Sequence, residues 1–506
     1  MLAESVAIII SRESRLSSRR SKLLLFELLT VIAFVAVVAV TLLRPRENLG
    51  ASMIDVEALS TGPSSSEWFG VYFEDQKIGY AVTSRTATKE GGLLIHSEAA
   101  YTIASFGSIS ETVMASSALL DSQRLLTKFD FFMSSNPVRL SASGEVSGNE
   151  LKVTLHQGGE AQELTLPLDA PPQLSLSLNT WLVDNVELRE GASWEVPYFD
   201  PVTLAQNSMT MKVVGTEIVA GEEEAYWVER SVNGATTRVL VTTDGQTIRE
   251  ESAFGFSMVR ETAEEARSMP DSGEVVDVID ISIVPLQGMV NFDSAQAAFE
   301  VEGVEASEFI HGPPLQTVEG DVVRVSIPDP AELPSVAVRA EEPEAAPFLE
   351  ATPFLPIGSR AIWEKAEEVV GGSVDRLEAT QRLVTWVYEY LDKRPTVGIP
   401  NALEVLQVGQ GDCNEHTALF VALARASGIP ARTAAGMVHL QGGEGLYYHA
   451  WPEVWFGPEG GWLPVDPTFG ELPANPTHLK LVEGGLDKQI EILSVLGRVR
   501  LKVVPW

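Results

Sequence analysis

Residues 409–432 read GQGDCNEHTALFVALARASGIPAR, and this stretch leaves the backbone little choice: a loop that turns straight into an amphipathic helix. Asp412 and Glu415 stand three residues apart as N-cap and N3 of a capping box, which puts Cys413 at the first helical position. Leu419, Ala422, Leu423 and Ala426 recur at the helical period, and Gly428 with Pro430 two residues on predicts the stop. Cys413 is the one cysteine in 506 residues. At a helix N-terminus its thiol meets unpaired backbone N–H groups and the positive end of the helix dipole, both of which favour the thiolate that attacks carbonyl groups. Taken singly, an unpaired cysteine fits a small buried apolar residue better than a nucleophile.

A nucleophile needs a base. Downstream, GLYYHAWPEVWF predicts a strand on which His449, Trp451, Glu453 and Trp455 share one face, because side chains alternate along a strand. GGWLPVDPTFG predicts a second short strand ending at Asp466, and Pro452 and Pro464, which lack an N–H, suit an edge or a bulge. Alone, a histidine in an apolar strand reads as core and an aspartate before proline as a turn. In this order with Cys413 they read as nucleophile, base and orienter. His449 would then pair with Cys413 and hold it as thiolate, while Asp466 fixes the imidazole tautomer.

The Cys413 backbone N–H is the nearest donor for an oxyanion, and Gln410, Trp451 and Trp455 are candidate side-chain donors or substrate-lining residues. The Asp412 carboxylate opposes ionisation of its neighbour, so it serves better on the helix cap. His416 and His439 are rival bases: His416 flanks the thiol on its own helix, and His439 ends a strand as a surface residue. His96, His156, His311 and His478 fall outside any pattern. Gly409 and Gly411 read as a flexible approach that lets substrate reach the backbone.

The blocks GDCNEHTALFVALARASGIPAR, HAWPEVW and GWLPVDPT, in this order, resemble the transglutaminase-like superfamily with its papain-like cysteine-peptidase fold. The resemblance covers roughly the last third of the chain. It implies Cys413 as nucleophile, His449 as general base and acid, and Asp466 as the residue that holds the imidazole. The implied chemistry is attack on an amide or ester carbonyl, giving a thioester that water or an amine resolves.

Other chemistries leave little trace. A lone cysteine excludes a CxxC redox pair, a thiolate zinc cluster and an intrachain disulfide, and no HExxH, Walker A or GxSxG pattern occurs. No metal or organic cofactor is implied. With 36 basic against 70 acidic residues the net charge is −34, which opposes binding to nucleic acid or anionic lipid surfaces.

Leu23 to Leu43 is apolar except for Glu27, Thr30 and Thr41, and twenty-one helical residues span roughly 31 Å, one bilayer core. Arg12, Arg15, Arg19, Arg20 and Lys22 precede it against Arg44 and Arg46 after it, so the positive-inside rule keeps the tail cytoplasmic. The expectation is a single-pass inner-membrane protein with its C-terminal domains in the periplasm; a cleaved signal peptide fits less well, since no A-x-A follows.

The fold class expected is α+β: a papain-like transglutaminase core at the C-terminus, preceded by a β-rich antiparallel region and an N-terminal transmembrane helix. The divisions are a basic tail 1–22, a span 23–43, a linker 44–66, a β-rich domain 67–265, a small β-rich segment 275–340, a Pro/Glu/Ala linker 341–357 and a catalytic domain 358–506. In the β-rich region, alternating runs such as NELKVTLHQGGEAQELTLPL are punctuated by Asn233-Gly234 and Asp244-Gly245 hairpin signals, predicting one curled antiparallel sheet, a half-barrel or a sandwich. Helices near 358–371 and 375–392 lead to the cysteine loop.

The function expected is hydrolysis or deamidation of an extracytoplasmic protein or peptide substrate, with protein cross-linking second and a non-catalytic peptide-binding envelope module as the rival class. Glu415, Glu444, Glu453 and Glu459 would attract a cationic amine or simply be solvated, and no lysine lies in the three blocks.

Overall fold

Nearest-neighbour pairing builds the N-terminal half. In the computed structural model, fourteen strands between Ser65 and Glu261 form one sheet, and every pair is antiparallel. The structure describes Ile54, Leu59 and residues 64–506 except 106–107, 220–222, 253–254, 270–274, 278–282, 341, 395–397, 490 and 493–494. The predicted span 23–43 and the basic tail lie outside the described residues, among which no helix is long and apolar enough to cross a membrane.

Eight strands run as a meander from Ser65–Phe73 to Glu160–Pro167, and six more run from Ser193–Asp200 to Phe256–Glu261. The last strand returns to the first, with Phe69 opposite Arg260 on one side and Ala81 on the other, so the two meanders become one curled sheet. Asn233 and Gly234 both take positive φ, the conformation a two-residue hairpin of right-handed strands requires. Helix Leu178–Asn185 packs Leu178 and Leu182 on Val196, Met211, Val228 and Val241 of the second meander. The concave side encloses a cavity of about 500 Å³ whose lining includes Phe69, Tyr101, Met114, Phe131, Arg230 and Glu250.

The C-terminal half is assembled from distant segments. Its nine-stranded sheet runs in the order Gln316–Glu319, Val322–Ser326, Gln296–Glu302, Arg500–Val504, Val284–Gln287, Gly445–Trp455, Ala431–His439 and Leu479–Glu483, with Trp462–Pro464 added beside Gly445–Trp455. Four strands of segment 275–340 thus continue the sheet that carries His449. Segment 341–357 holds a 3₁₀ turn, Pro343–Leu349, whose Phe348 meets Trp462 edge-on at 4.7 Å.

Helices Arg360–Val370 and Arg376–Tyr390 form close to where periodicity predicts them. A third, Ala402–Val408, is capped by Asn401, whose side chain accepts from the Leu403 and Glu404 N–H groups. All three pack on the buried Cys413–Ala426 helix, through Ile362, Leu383, Val387, Leu403, Leu419, Phe420 and Leu423. The two halves meet at Glu404, whose carboxylate accepts from the Arg139 N–H at 3.2 Å and from the Gln157 amide at 3.2 Å. The fold is mixed α+β, with a large antiparallel sheet first and a helix-and-sheet core after it.

Candidate active site

The helix begins at Cys413 because its capping box closes: the Asn414 N–H donates to Asp412 Oδ1 at 2.9 Å and the Asp412 N–H to Glu415 Oε2 at 2.8 Å. A Cβ on Gly411 would stand 2.2 Å from Glu415 Cβ. This glycine therefore makes room for the returning glutamate, which corrects its reading as a flexible approach for substrate. At the other end Gly428 takes φ +84° and the Ile429 N–H donates to Ala424 O, so the helix stops where glycine permits.

His449 lies mid-strand opposite Gly436 of Ala431–His439. A Cβ on Gly436 would lie 1.9 Å from Leu479 O, so strand Leu479–Glu483 lies hard against the backbone here. That approach brings His478, the residue just before the strand, within 5.4 Å of the His449 ring, centroid to centroid. Asp466 follows Trp462–Pro464, the short strand on the other side of Gly445–Trp455.

Asp466 is fully buried and every acceptor position is used. Its Oδ2 lies 2.7 Å from His449 Nε2 and 3.0 Å from His478 Nε2, while Oδ1 accepts the Thr468 and Phe469 N–H groups at 2.7 and 3.2 Å. Burial alone would raise its pKa, but the two imidazoles outweigh it and hold the carboxyl far below the usual range. Phe469 stacks on His449 at 4.9 Å and 10°, and Trp451 lies parallel to it at 6.1 Å. The imidazole is thus pinned by packing as well as by hydrogen bonding, with Nδ1 left free of hydrogen bonds among the described residues.

Cys413 is half-buried, and it packs with Tyr448 into the cluster that contains Ala450. The Ala450 backbone N–H, next in sequence to His449, faces the sulfur and favours its ionised form. Burial, then Asp412, with Glu415 and Asp466 adding, drive it the other way and push the thiol well above its ordinary range. No hydrogen bond joins the sulfur to His449 among the described residues. Desolvation and three carboxylates thus work against the resting thiolate that the helix end favours. Catalytic hydrogen bonds commonly tighten only when substrate is bound.

The other candidates separate cleanly. His416 is buried, its Nδ1–H donates to Asp412 O at 2.7 Å and burial lowers its pKa, so it serves the first helical turn. His439 is half-buried, its Nδ1–H donates to Gly445 O at 2.8 Å, and its ring stacks on Phe292. Gln410 sits in a two-residue strand beside Asp392, just before the cap. Trp451 joins the imidazoles, whereas Trp455, at the far end of the same strand, packs on Trp462. Glu453 is 2 % exposed and bonded to Lys480 and Arg432, so it offers no charge to an incoming amine. Glu415 is spent on the cap; Glu444 and Glu459 are exposed.

Sequence reasoning set His478 aside. It stands in no spacing relation to Cys413 or His449 and follows an ordinary Asn-Pro turn, so only the sheet reveals it. The ligand atoms of His449, Asp466 and His478 lie within 4.8 Å of one another, close enough to hold a metal ion. The four hydrogen bonds on Asp466 fit a hydrogen-bonded cluster better. A pocket of about 330 Å³ follows Asn414, Thr417, Ala418 and Arg425 along the helix that Cys413 begins, with Phe348 and Phe354 among its walls.

Parts of the chain are similar to known proteins. Residues 364–467, which include Cys413, His449 and Asp466, match the family model described as the transglutaminase-like superfamily. A protein-glutamine gamma-glutamyltransferase of Pseudomonas aeruginosa is 34% identical over 137 residues, 24% of this chain and 19% of that protein, so the chain matches about a fifth of the relative's length. A protein of Cytophaga hutchinsonii, provisionally named a cysteine protease, overlaps 41% of this chain and 83% of its own at 16% identity and a TM-score of 0.29. A β-barrel-like protein of Brucella abortus, a domain of unknown function, overlaps 39% of this chain and 94% of its own at 13% identity and a TM-score of 0.32. Overlaps this low fix neither fold nor activity. Residues 364–467 form a domain of the transglutaminase-like superfamily.

Proposed function

We propose that this chain is a membrane-anchored, extracytoplasmic cysteine enzyme that cleaves amide bonds through a thioester on Cys413. The observation that carries the reading is the imidazole of His449, locked at 2.7 Å on Asp466 and flanked by the amide that faces Cys413. With Nε2–H committed to Asp466, Nδ1 is the nitrogen free to take the thiol proton. Because the surroundings oppose a resting thiolate, His449 removes that proton as sulfur attacks the carbonyl.

The tetrahedral oxyanion draws on the Cys413 N–H at the helix end, and its collapse expels the amine, protonated by His449. Water, deprotonated by the same imidazole, then attacks the thioester and releases the acid. The pocket along Asn414 and Thr417 is the place for the acyl group. Glu453 is locked to Lys480 and Arg432 and Glu415 is spent on the helix cap, so neither is open to a cationic amine, which favours water over cross-linking.

The test is partitioning of a glutamine-derived acyl group between water and a labelled primary amine. Mostly hydrolysed product at micromolar amine is expected; mostly amine-trapped product would make cross-linking the activity. Cys413→Ala should abolish turnover and all thiol labelling, and turnover surviving it would sink the reading. Membrane anchoring rests on residues 1–43 alone, and protease added outside permeabilised-envelope cells should remove the bulk of the chain.

A further inference from the structure

We propose that His478 is a fourth member of this site, a positioning residue held as an imidazolium that neutralises Asp466 and fixes its direction toward His449. The inference rests on the amide-cleaving reading above and deepens it. His478 lies outside the matched family segment 364–467 and its side chain is 1% exposed. Its Nε2 is 3.0 Å from Asp466 Oδ2 and its Nδ1 is 2.9 Å from the backbone oxygen of Asn475.

A carbonyl oxygen and an ionised carboxylate can only accept hydrogen bonds. Both ring nitrogens of His478 must therefore donate, and a neutral imidazole has one N–H to give. His449 differs in the one respect that matters: a single nitrogen faces Asp466 and the other is free. Two imidazoles share one carboxylate oxygen, but only one of them has a nitrogen with which to exchange a proton with Cys413. The other contributes a fixed charge.

That charge has a chemical consequence. A bare Asp466 would stabilise His449 as imidazolium and so favour a preformed ion pair with the thiol. An Asp466 already balanced by His478 does so less, leaving neutral thiol and neutral imidazole at rest, in keeping with surroundings that oppose the thiolate. His416, on the Cys413 helix, interacts with Asp466, Asp412 and Lys393. Lys393 acts on Asp466, Asp412 and Glu415 act on the thiol, and Lys480, two residues on, is tied to Glu453 and Glu483. Edge-on contacts with Trp451 at 5.0 Å and Phe469 at 6.5 Å close the cluster.

The experiment uses the full-length protein in detergent, with ¹⁵N-labelled histidine and the His478→Gln and His478→Ala variants. Glutamine keeps a donor for Asp466 but carries no charge, and it covers the case in which the alanine variant does not fold. In the wild type, the resonances lost in His478→Gln should be those of a ring protonated at both nitrogens at pH 7.5, unchanged by a chelator. His478→Gln should lower turnover by about tenfold or more, on the scale seen for partners that orient metal-ligating histidines. The acid limb of kcat/KM should move to higher pH, because Asp466 then acts undiluted on His449; a purely structural role would lower kcat without moving the limb.

A singly protonated His478, a spectrum altered by the chelator, or an unmoved limb in His478→Gln would each overturn the proposal. The protonation state is read without turnover. Failure of the amide-cleaving reading, seen as activity surviving Cys413→Ala, is therefore distinguishable from failure of this one.

Discussion

Asp466 in the C-terminal domain and Glu250 inside the N-terminal sheet are both enclosed acids facing cations, yet their proton affinities move in opposite directions. For Glu250, burial raises the pKa and the nearby charge of Arg230 offsets it only in part. For Asp466, two imidazoles, through charge and hydrogen bond, reverse the same penalty. Glu404, at the junction of the halves, shifts the same way as Glu250. Its two hydrogen bonds come from neutral donors at 3.2 Å, and burial still wins. Charge alone offsets burial only in part at Glu250; at Asp466 the charge of the imidazoles acts together with their direct hydrogen bonds, and the sum wins.

The comparison breaks most visibly if Asp466 is dispensable. Asp466→Asn should lower kcat by about 10⁴-fold, as loss of the orienting aspartate does in triads generally, through the wrong imidazole tautomer. A loss within tenfold would mean that His449 is oriented by packing on Phe469 and Trp451 instead.

The pH dependence of stability separates the acids by sign. The lowered carboxyl of Asp466 contributes stability that is full above the ordinary carboxylate value of about 3.9 and is lost as pH falls below it. Denaturant midpoints should drop on acidification below about pH 4 in the wild type and much less in Asp466→Asn. Parallel curves would show that folding does not lower the Asp466 carboxyl.

Glu404→Ala should cost about 1–3 kcal/mol at pH 7, because the Arg139 N–H and the Gln157 amide lose their acceptor in the interface. Glu404→Gln should cost less, since the raised pKa already favours an uncharged group there. Equal midpoints for both variants and the wild type would remove Glu404 as a tie between the halves.

Glu250→Gln is the smallest effect and the sharpest test of sign. A raised carboxyl contributes stability that is full below about pH 4.3 and is lost as pH rises through the folded value. The substitution should therefore raise the denaturation midpoint at pH 7 and leave it unchanged at pH 4. Destabilisation at pH 7 would mean that Arg230 holds Glu250 ionised after all.

Legibility followed sequence distance. Alternation and the Asn233-Gly234 turn were enough for a sheet whose strands pair mostly with their chain neighbours. The capping box placed Cys413 at the helix start, because a cap is a contact across three residues. The helix Ala402–Val408 went unread: seven residues give too short a period to stand out. Four strands of 275–340 read as strands, but nothing local showed that they share a sheet with His449. Their partners, Gly445–Trp455 and Arg500–Val504, are some 160 to 200 residues away.

By itself the sequence determined the Cys413 helix, the alternation of the strands and the order of Cys413, His449 and Asp466, since caps, periods and turns are short-range physics. Only the tertiary structure decided what surrounds them. It decided that carboxylates and burial oppose the thiolate, that Glu453 is neutralised by Lys480, and that His478 closes on Asp466 where Gly436 lets a strand approach. Those outcomes depend on which groups share a low-dielectric interior and which lone pairs are filled, and local sequence does not encode either.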